Sequence, residues 1–261
     1  MILVTGATGF VGQAIMKLCP DTIAAPSLRN VSEAALRRMV EQAGVDTIVH
    51  TAAISDIGVC QENPEASYSA NVLLPVGLAK ASRGIKLICF SSDQVYSAAE
   101  QPGPYTEDMV CPGNLYARHK LEMEQRVLDM VPEAVMLRAE WMYDHYLKKS
   151  NYFMNLRNAE GPVCASSRQY RGVTYVKEVA RNMETVAHLP GGAYNFGSET
   201  TKSMFEITRD FLALIGKDIP VEDIPPRHNL WMNCEKARTF GVEFPSVEDG
   251  LKQCARDHGL I

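Results

Sequence analysis

No apolar run in this chain is long enough to span a bilayer, which argues against a helical membrane anchor within it. No Cys-x-x-Cys pair occurs. The seven cysteines are scattered and odd in number, which suits reduced thiols in a cytoplasmic protein better than a disulfide framework or a zinc site. There is no surplus of positive charge: 26 basic residues face 31 acidic ones, a net charge of −5, so neither nucleic acid nor an anionic membrane is the expected main partner. An anionic substrate remains open, because local charge decides that. No signal-like segment precedes the first apolar strand, so the cytoplasm is the expected location. Internal repeats and low-complexity segments are also absent. No metal-ligand spacing surrounds His50 or His119, and no metal is expected. His50 reads as the end of a buried strand, and His119 as a solvent-facing helix residue.

The most informative stretch is Ile2-Leu3-Val4-Thr5-Gly6-Ala7-Thr8-Gly9-Phe10-Val11-Gly12. A short apolar strand runs into three glycines at spacing three, and helical periodicity resumes with Val11, Ile15 and Leu18. Strand, glycine turn and helix together are the context in which such a motif means dinucleotide binding. Gly6 allows a tight turn, Gly9 allows backbone N–H groups to approach a pyrophosphate, and Gly12 allows helix and strand to pack closely.

At 261 residues and 46% apolar, the chain can build one large α/β domain, with or without a small lobe, around a core that needs no staples. Apolar strands are expected at residues 22–25, 47–50, 86–90 and 134–137. Helices are expected at 31–43, 64–82 (broken only by Pro75) and 115–130. Continuous apolar strands alternating with amphipathic helices imply a Rossmann-type, doubly wound parallel sheet with ligands at the strand C-termini. Residues 1–145 read as the dinucleotide-binding domain. Residues 146–261 read mainly as a substrate lobe interleaved with it, with helices near 151–159, 176–188, 204–215 and 246–258, a strand at 194–196, and a proline-rich stretch at 219–226.

Two segments carry chemistry. Ser91-Ser92-Asp93-Gln94-Val95-Tyr96 follows the strand at 86–90, and Tyr116-Ala117-Arg118-His119-Lys120 places a tyrosine and a lysine at i and i+4 on one helix face. An ammonium beside a phenol is expected to lower the tyrosine pKa from near 10. With the Ser92 hydroxyl, the pair makes a proton donor or acceptor for a carbonyl–alcohol couple while hydride moves to or from a nicotinamide. Tyr-x-x-x-Lys alone is commonly a solvated helix face. Its place after a nucleotide-binding half and a serine-bearing strand end favours the catalytic reading.

On these residues the chain resembles the extended short-chain dehydrogenases/reductases, and within them the dTDP-4-dehydrorhamnose reductase group, over nearly its whole length. The glycine run matches Gly-x-x-Gly-x-x-Gly. His50-Thr51-Ala52-Ala53 matches Asn-Ala-Ala, and Cys60, Asn63-Pro64 and Asn71-Val72 match a further run. Ser91 to Tyr96 resembles Ser-Thr-Asp-Tyr-Val-Phe. Tyr105-x-Glu107 and Pro112-x-Asn114-x-Tyr116 fit the approach to the catalytic tyrosine. Residues 137–143 resemble Leu-Arg-Thr-Ser-Trp-Val-Tyr, whose tryptophan touches the sugar, and 168–174 resemble Asp-Gln-x-Gly-x-Pro-Thr. The resemblance implies catalysis by Ser92, Tyr116 and Lys120. It implies a cofactor held by Gly6, Thr8, Gly9, Phe10, Val11, Gly12, Asn30, Val31, Ala52, Ala53, Ile54 and Ser91, together with Tyr116 and Lys120. It implies a sugar nucleotide met by Asp93, Gln94, Trp141, Arg168 and Arg171.

Several positions depart from that pattern. Gln94 replaces a tyrosine, Glu140 a small polar residue, Arg168 an aspartate, Arg171 a glycine and Val173 a proline. The two arginines suit a diphosphate or carboxylate clamp, or else a surface salt-bridge pair. No acidic residue follows the second strand for a ribose 2′-OH, while Ser27 and Arg29 suit a 2′-phosphate, so NADP is the expected cofactor with NAD the alternative. The leading function is reduction of a nucleotide-activated 4-keto sugar. Epimerisation of such a sugar needs only the same Tyr–Lys pair and stays open, whereas dehydration is disfavoured because the Gln94 amide cannot act as a general base. A non-enzymatic alternative is a binding subunit like the regulatory subunit of methionine adenosyltransferase. The sequence leaves the oligomeric state open, with a homodimer as the candidate.

Overall fold

Strand-forming residues and the turns between them generate ten strands in the computed structural model, which describes residues 1–145 and 150–261. They are β1 (Ile2–Thr5), β2 (Thr22–Ala24), β3 (Thr47–His50), β4 (Lys86–Ser92), β5 (Val135–Ala139), β6 (Trp141–Tyr143), β7 (Val163–Ala165), β8 (Val173–Tyr175), β9 (Gly192–Phe196) and β10 (Val221–Asp223). Six of them form one sheet in the order β2-β1-β3-β4-β5-β9, with every neighbouring pair parallel. This is the doubly wound α/β sheet expected from the alternating pattern.

Successive side chains on a strand point to opposite faces, so both faces must be covered. Val4, Val49, Ile88 and Leu137 pack on one face with Ile15 and Val179. Leu3, Ile48, Leu87 and Met136 pack on the other with Val40, Val76 and Met123. Burying each such side chain contributes about 1.5–3 kcal/mol, so this two-sided core is the main source of stability. Because β1 lies between β2 and β3, the winding direction reverses there. A crevice therefore opens beyond the C-terminal ends of β1 and β3, beside the glycine turn.

The smaller layer pairs β6 with β8 and β7 with β10. Its core stacks Tyr143 between Phe153 and Tyr175, each ring pair 5.8 Å apart. The two layers share the chain. After β8, helices Val176–Arg181 and Met183–Ala187 return to the large sheet, where Val179, Ala180, Met183 and Val186 join its core and β9 supplies its last strand. The Cys19 thiol donates to the Ala180 carbonyl at 3.2 Å.

Several boundaries differ from the sequence pattern, each for a local reason. Residues 64–82 contain a widened π turn at Ser69–Leu73 between helices Pro64–Tyr68 and Leu74–Ala81. Pro75 lacks an N–H and crowds the carbonyl four residues before it, which the wider turn accommodates. Residues 176–188 divide at Asn182, whose amide donates to the Glu178 and Glu243 carbonyls. The second helix begins at Glu33 because the Ser32 hydroxyl accepts from Ala35 N and caps it. Helix Ile57–Glu62, capped by Asp56, was not apparent from periodicity.

Candidate active site

A cavity of about 660 Å³ opens at the sheet edge and runs from Gly9, Phe10 and Val11, past Ser92, Tyr116 and Lys120, to Trp141, Arg171 and His228. Its first end is the glycine turn. Gly6 has φ +74°, and a Cβ there would lie 2.7 Å from Ala52 N. A Cβ on Gly12 would lie 2.2 Å from the Gly6 carbonyl oxygen. Both glycines are thus required by the protein's own packing. Gly9 differs: it is exposed, caps helix Phe10–Leu18, and faces the cavity with the unsatisfied N–H end of that helix. That surface fits a pyrophosphate.

The other residues expected at the cofactor divide. Ala53 and Ser91 line the cavity, although the Ser91 hydroxyl is donated to Glu124. The Ile54 carbonyl accepts from Asn71 Nδ2 at 2.9 Å, so it is committed to the fold. Thr8 is exposed beside the turn, and its carbonyl accepts from Gln13 Nε2. Asn30, exposed and at φ +58°, and Val31 lie in the loop after β2, away from the cavity lining.

Ser92 ends β4 and caps the short turn Asp93–Tyr96, its hydroxyl accepting from Gln94 N at 3.2 Å and donating to Asp93 Oδ1 at 3.2 Å. Tyr116 enters on the first turn of helix Leu115–Met130, which Asn114 caps through Ala117 N. Tyr116 and Ser92 are within hydrogen-bonding reach, and Lys120 Nζ sits 5.8 Å from the tyrosine ring centroid. The expected electrostatics is corrected here. Lys120 donates to the Phe90 carbonyl at 2.7 Å rather than to the phenol, and its own pKa is lowered by burial to about 8. Burial pushes the Tyr116 phenol above its ordinary value, partly offset by the neighbouring Ser92 hydroxyl. Behind the trio, Arg138 and Glu124 form a buried ion pair at 2.7 Å that joins β5 to helix Leu115–Met130. The same helix buries His119, which hydrogen-bonds Ser67 at 2.9 Å instead of facing solvent. His50 is buried at the end of β3, as its sequence context suggested.

At the far end of the cavity, Arg171 Nη2 donates to Asp93 Oδ2 at 2.6 Å, and its guanidinium lies 5.6 Å from the Trp141 ring centroid. Gln94 lines the wall, its amide oxygen accepting from Asn114 at 3.1 Å. Arg168 does not join them. It is exposed on a turn where Arg168 N and Gln169 N both bond back to Ser166, while Arg171 is bridged inward to Leu230. The paired clamp is therefore reduced to one arginine. Glu140 is a cavity residue whose importance the sequence reading understated. It accepts from Thr174 Oγ1 and from Ser198 N, and Gly172 and Gly197 press against its carboxyl, where any Cβ would collide. Burial raises its pKa to about 8.

The family model described as RmlD substrate binding domain matches residues 1–256. The chain belongs to this family. Among curated relatives, dTDP-4-dehydrorhamnose reductase of Mycolicibacterium smegmatis is 33% identical over 151 residues, 54% of this chain and 46% of that protein. The enzyme of the same name from Sinorhizobium fredii is 27% identical, with 97% of this chain and 95% of the relative covered. Methionine adenosyltransferase 2 subunit beta of Xenopus tropicalis is 28% identical, covering 92% and 82%. Among solved structures, the NADP complex of dTDP-4-dehydrorhamnose reductase from Bacillus anthracis superposes with a TM-score of 0.85 over 98% of both chains at 21% identity, a likeness of fold.

Within this RmlD-family chain, the cavity residues that motif reading missed are those with no motif of their own. His228 comes from a loop nearly a hundred residues after helix Leu115–Met130, and Ser150 and Asn151 from just beyond β6. Burial and the neighbouring Arg171 push the His228 pKa below its ordinary value.

Proposed function

We propose that the chain is an NADP(H)-dependent reductase of a nucleotide-activated 4-keto sugar, with residues 1–145 mainly holding the cofactor and 146–261 mainly the sugar nucleotide. The observation that carries this reading is the convergence of Ser92, Tyr116 and Lys120 on one cavity continuous with the Gly9 helix end. When bound, the nicotinamide cofactor supplies the hydride. Gly9, Phe10 and Val11 hold its pyrophosphate at the helix N-terminus, and Ser27 and Arg29, exposed after β2, meet the 2′-phosphate.

The chain's own residues then do the acid chemistry. As negative charge grows on the carbonyl oxygen, Tyr116 gives it the phenol proton, and the Ser92 hydroxyl holds the same oxygen. Burial keeps the phenol protonated in the free chain, the form a general acid needs. Trp141, 38% exposed within the cavity, offers the sugar a flat apolar face. Arg171 offers the remaining guanidinium N–H groups to the diphosphate. Its buried Nε has no hydrogen-bond partner among the described residues.

The test is NADPH consumption with a panel of nucleotide-activated 4-keto sugars. Oxidation of NADPH with one of them, and none without a keto sugar, is expected. The relative named as a methionine adenosyltransferase subunit supports a second reading, a nucleotide-binding partner subunit. That reading prevails if NADPH binds, no keto sugar is reduced, and the chain forms a stoichiometric complex with a methionine adenosyltransferase catalytic subunit.

A further inference from the structure

Away from the cavity, on the small layer, the last turn of helix Val247–Asp257 brings two soft donors to one face. Cys254 and His258 are four residues apart, and both are directed at the segment that follows β6. There the His258 ring nitrogen Nε2 lies 3.2 Å from Asp144 Oδ1. The Cys254 sulfur completes a trio whose ligand atoms all lie within 4.8 Å of one another. A tetrahedral ion with bonds near 2.0–2.3 Å needs ligand separations of about 3.3–3.8 Å, so one edge is already in place and the others close by at most about 1.5 Å.

Two further features prepare the trio. The His145 backbone N–H donates to Asp144 Oδ1 at 2.7 Å, which orients that carboxylate. The His145 ring stacks on that of His258, with centroids 4.4 Å apart and planes 11° apart, and so fixes the ring's orientation. We propose that Asp144, Cys254 and His258 bind one divalent cation of the zinc class, with the fourth position open to solvent. One thiolate, one carboxylate and one neutral imidazole carry two negative charges, which balance a dipositive ion. The Cys254 thiol proton leaves to solvent as the metal–sulfur bond forms. Sequence spacing gave no warning, because the aspartate precedes the Cys-x-x-x-His pair by 110 residues.

The ion would tie the C-terminal helix to the back of the cavity wall. The Asp144 carbonyl accepts from Asn151 Nδ2 at 3.0 Å, and Asn151 both caps helix Tyr152–Arg157 and lines the cavity.

The test is titration of chelator-treated full-length protein with Co²⁺, then displacement by Zn²⁺. Saturation at one Co²⁺ per chain is expected, with a near-ultraviolet thiolate charge-transfer band that Zn²⁺ abolishes. Cys254→Ser should lose the band. His258→Gln and Asp144→Asn should each weaken Co²⁺ binding by at least about tenfold. The proposal is overturned by the absence of saturable binding, or by a band that survives Cys254→Ser, which would place the ion on another thiol such as exposed Cys111 or Cys164. If Cys254→Ser does not fold, His258→Gln decides. Its side chain is 23% exposed, and an unchanged Co²⁺ affinity in this variant refutes the site.

Discussion

Arg171 holds Asp93 across 78 residues of sequence at 2.6 Å, joining the small layer to the C-terminal end of β4 beside Ser92. The two side chains are 11% and 4% exposed, so this is a buried pair rather than a surface one. Removing one partner strands the other charge. Arg171→Met should lower unfolding stability by about 3–5 kcal/mol, and adding Asp93→Asn should recover much of that loss. Urea unfolding of the two single variants and the double variant measures it. Additive losses would mean that the pair is not coupled.

Tyr116→Phe removes one oxygen and keeps the ring. Turnover should fall by about 10²–10⁴-fold, the usual contribution of general acid–base catalysis. Affinity for NADPH should hardly change, because the phenol acts mainly in the transition state. Steady-state kinetics with a reduced keto sugar, alongside cofactor fluorescence titration, separates the two effects. A wild-type rate in this variant would remove Tyr116 from the mechanism.

Gly9 has room for a side chain that Gly6 and Gly12 lack. A Cβ there meets only the Gly6 carbonyl, at 3.1 Å. Gly9→Asp should therefore fold yet lose NADPH binding, because a carboxylate would stand where the pyrophosphate approaches the helix end. Circular dichroism checks the fold, and fluorescence titration checks binding. The wild-type chain should prefer NADPH to NADH, since Ser27 and Arg29 stand where an NAD-binding acid is missing.

Glu140 ties stability to pH. Its pKa rises from 4.5 in the unfolded chain to about 8 in the fold, chiefly through burial. Between those values the folded state holds the extra proton, so raising the pH through this window costs stability. The favourable contribution is complete below about pH 4.5 and lost above about pH 8. Glu140→Gln, which mimics the protonated acid and keeps the carbonyl that Thr174 and Ser198 donate to, should flatten that decline. Thermal melts of both proteins from pH 5 to 9 decide it. Parallel curves would show that Glu140 does not titrate across this range.

Local features that act within a few residues were legible. Gly6 and Gly12 after an apolar strand marked the turn into the first helix, because turn geometry and helix packing demand glycine at both whatever the rest of the chain does. Tyr116 and Lys120 shared a helix face by periodicity alone, and the strand at residues 47–50 was read to the residue. Contacts across the chain were not legible. Arg168 and Arg171 look equivalent in sequence, yet only Arg171 reaches the cavity, because the turn back to Ser166 sends Arg168 to solvent. His119 has the spacing of a surface residue but is buried on Ser67, which a separate helix carries.

The residue pattern by itself therefore determined the parallel sheet, the glycine turn and the helix face that Tyr116 and Lys120 share, since backbone conformation and periodic burial are properties of short segments. Only the tertiary structure decided which charges meet and which proton affinities shift. Lys120 was expected to make Tyr116 more acidic, but the fold gives its ammonium to the Phe90 carbonyl and leaves burial to raise the phenol instead. Desolvation and ion pairing depend on what surrounds a group in space, and for Lys120, Asp93, Glu140 and Cys254 those neighbours come from distant parts of the chain.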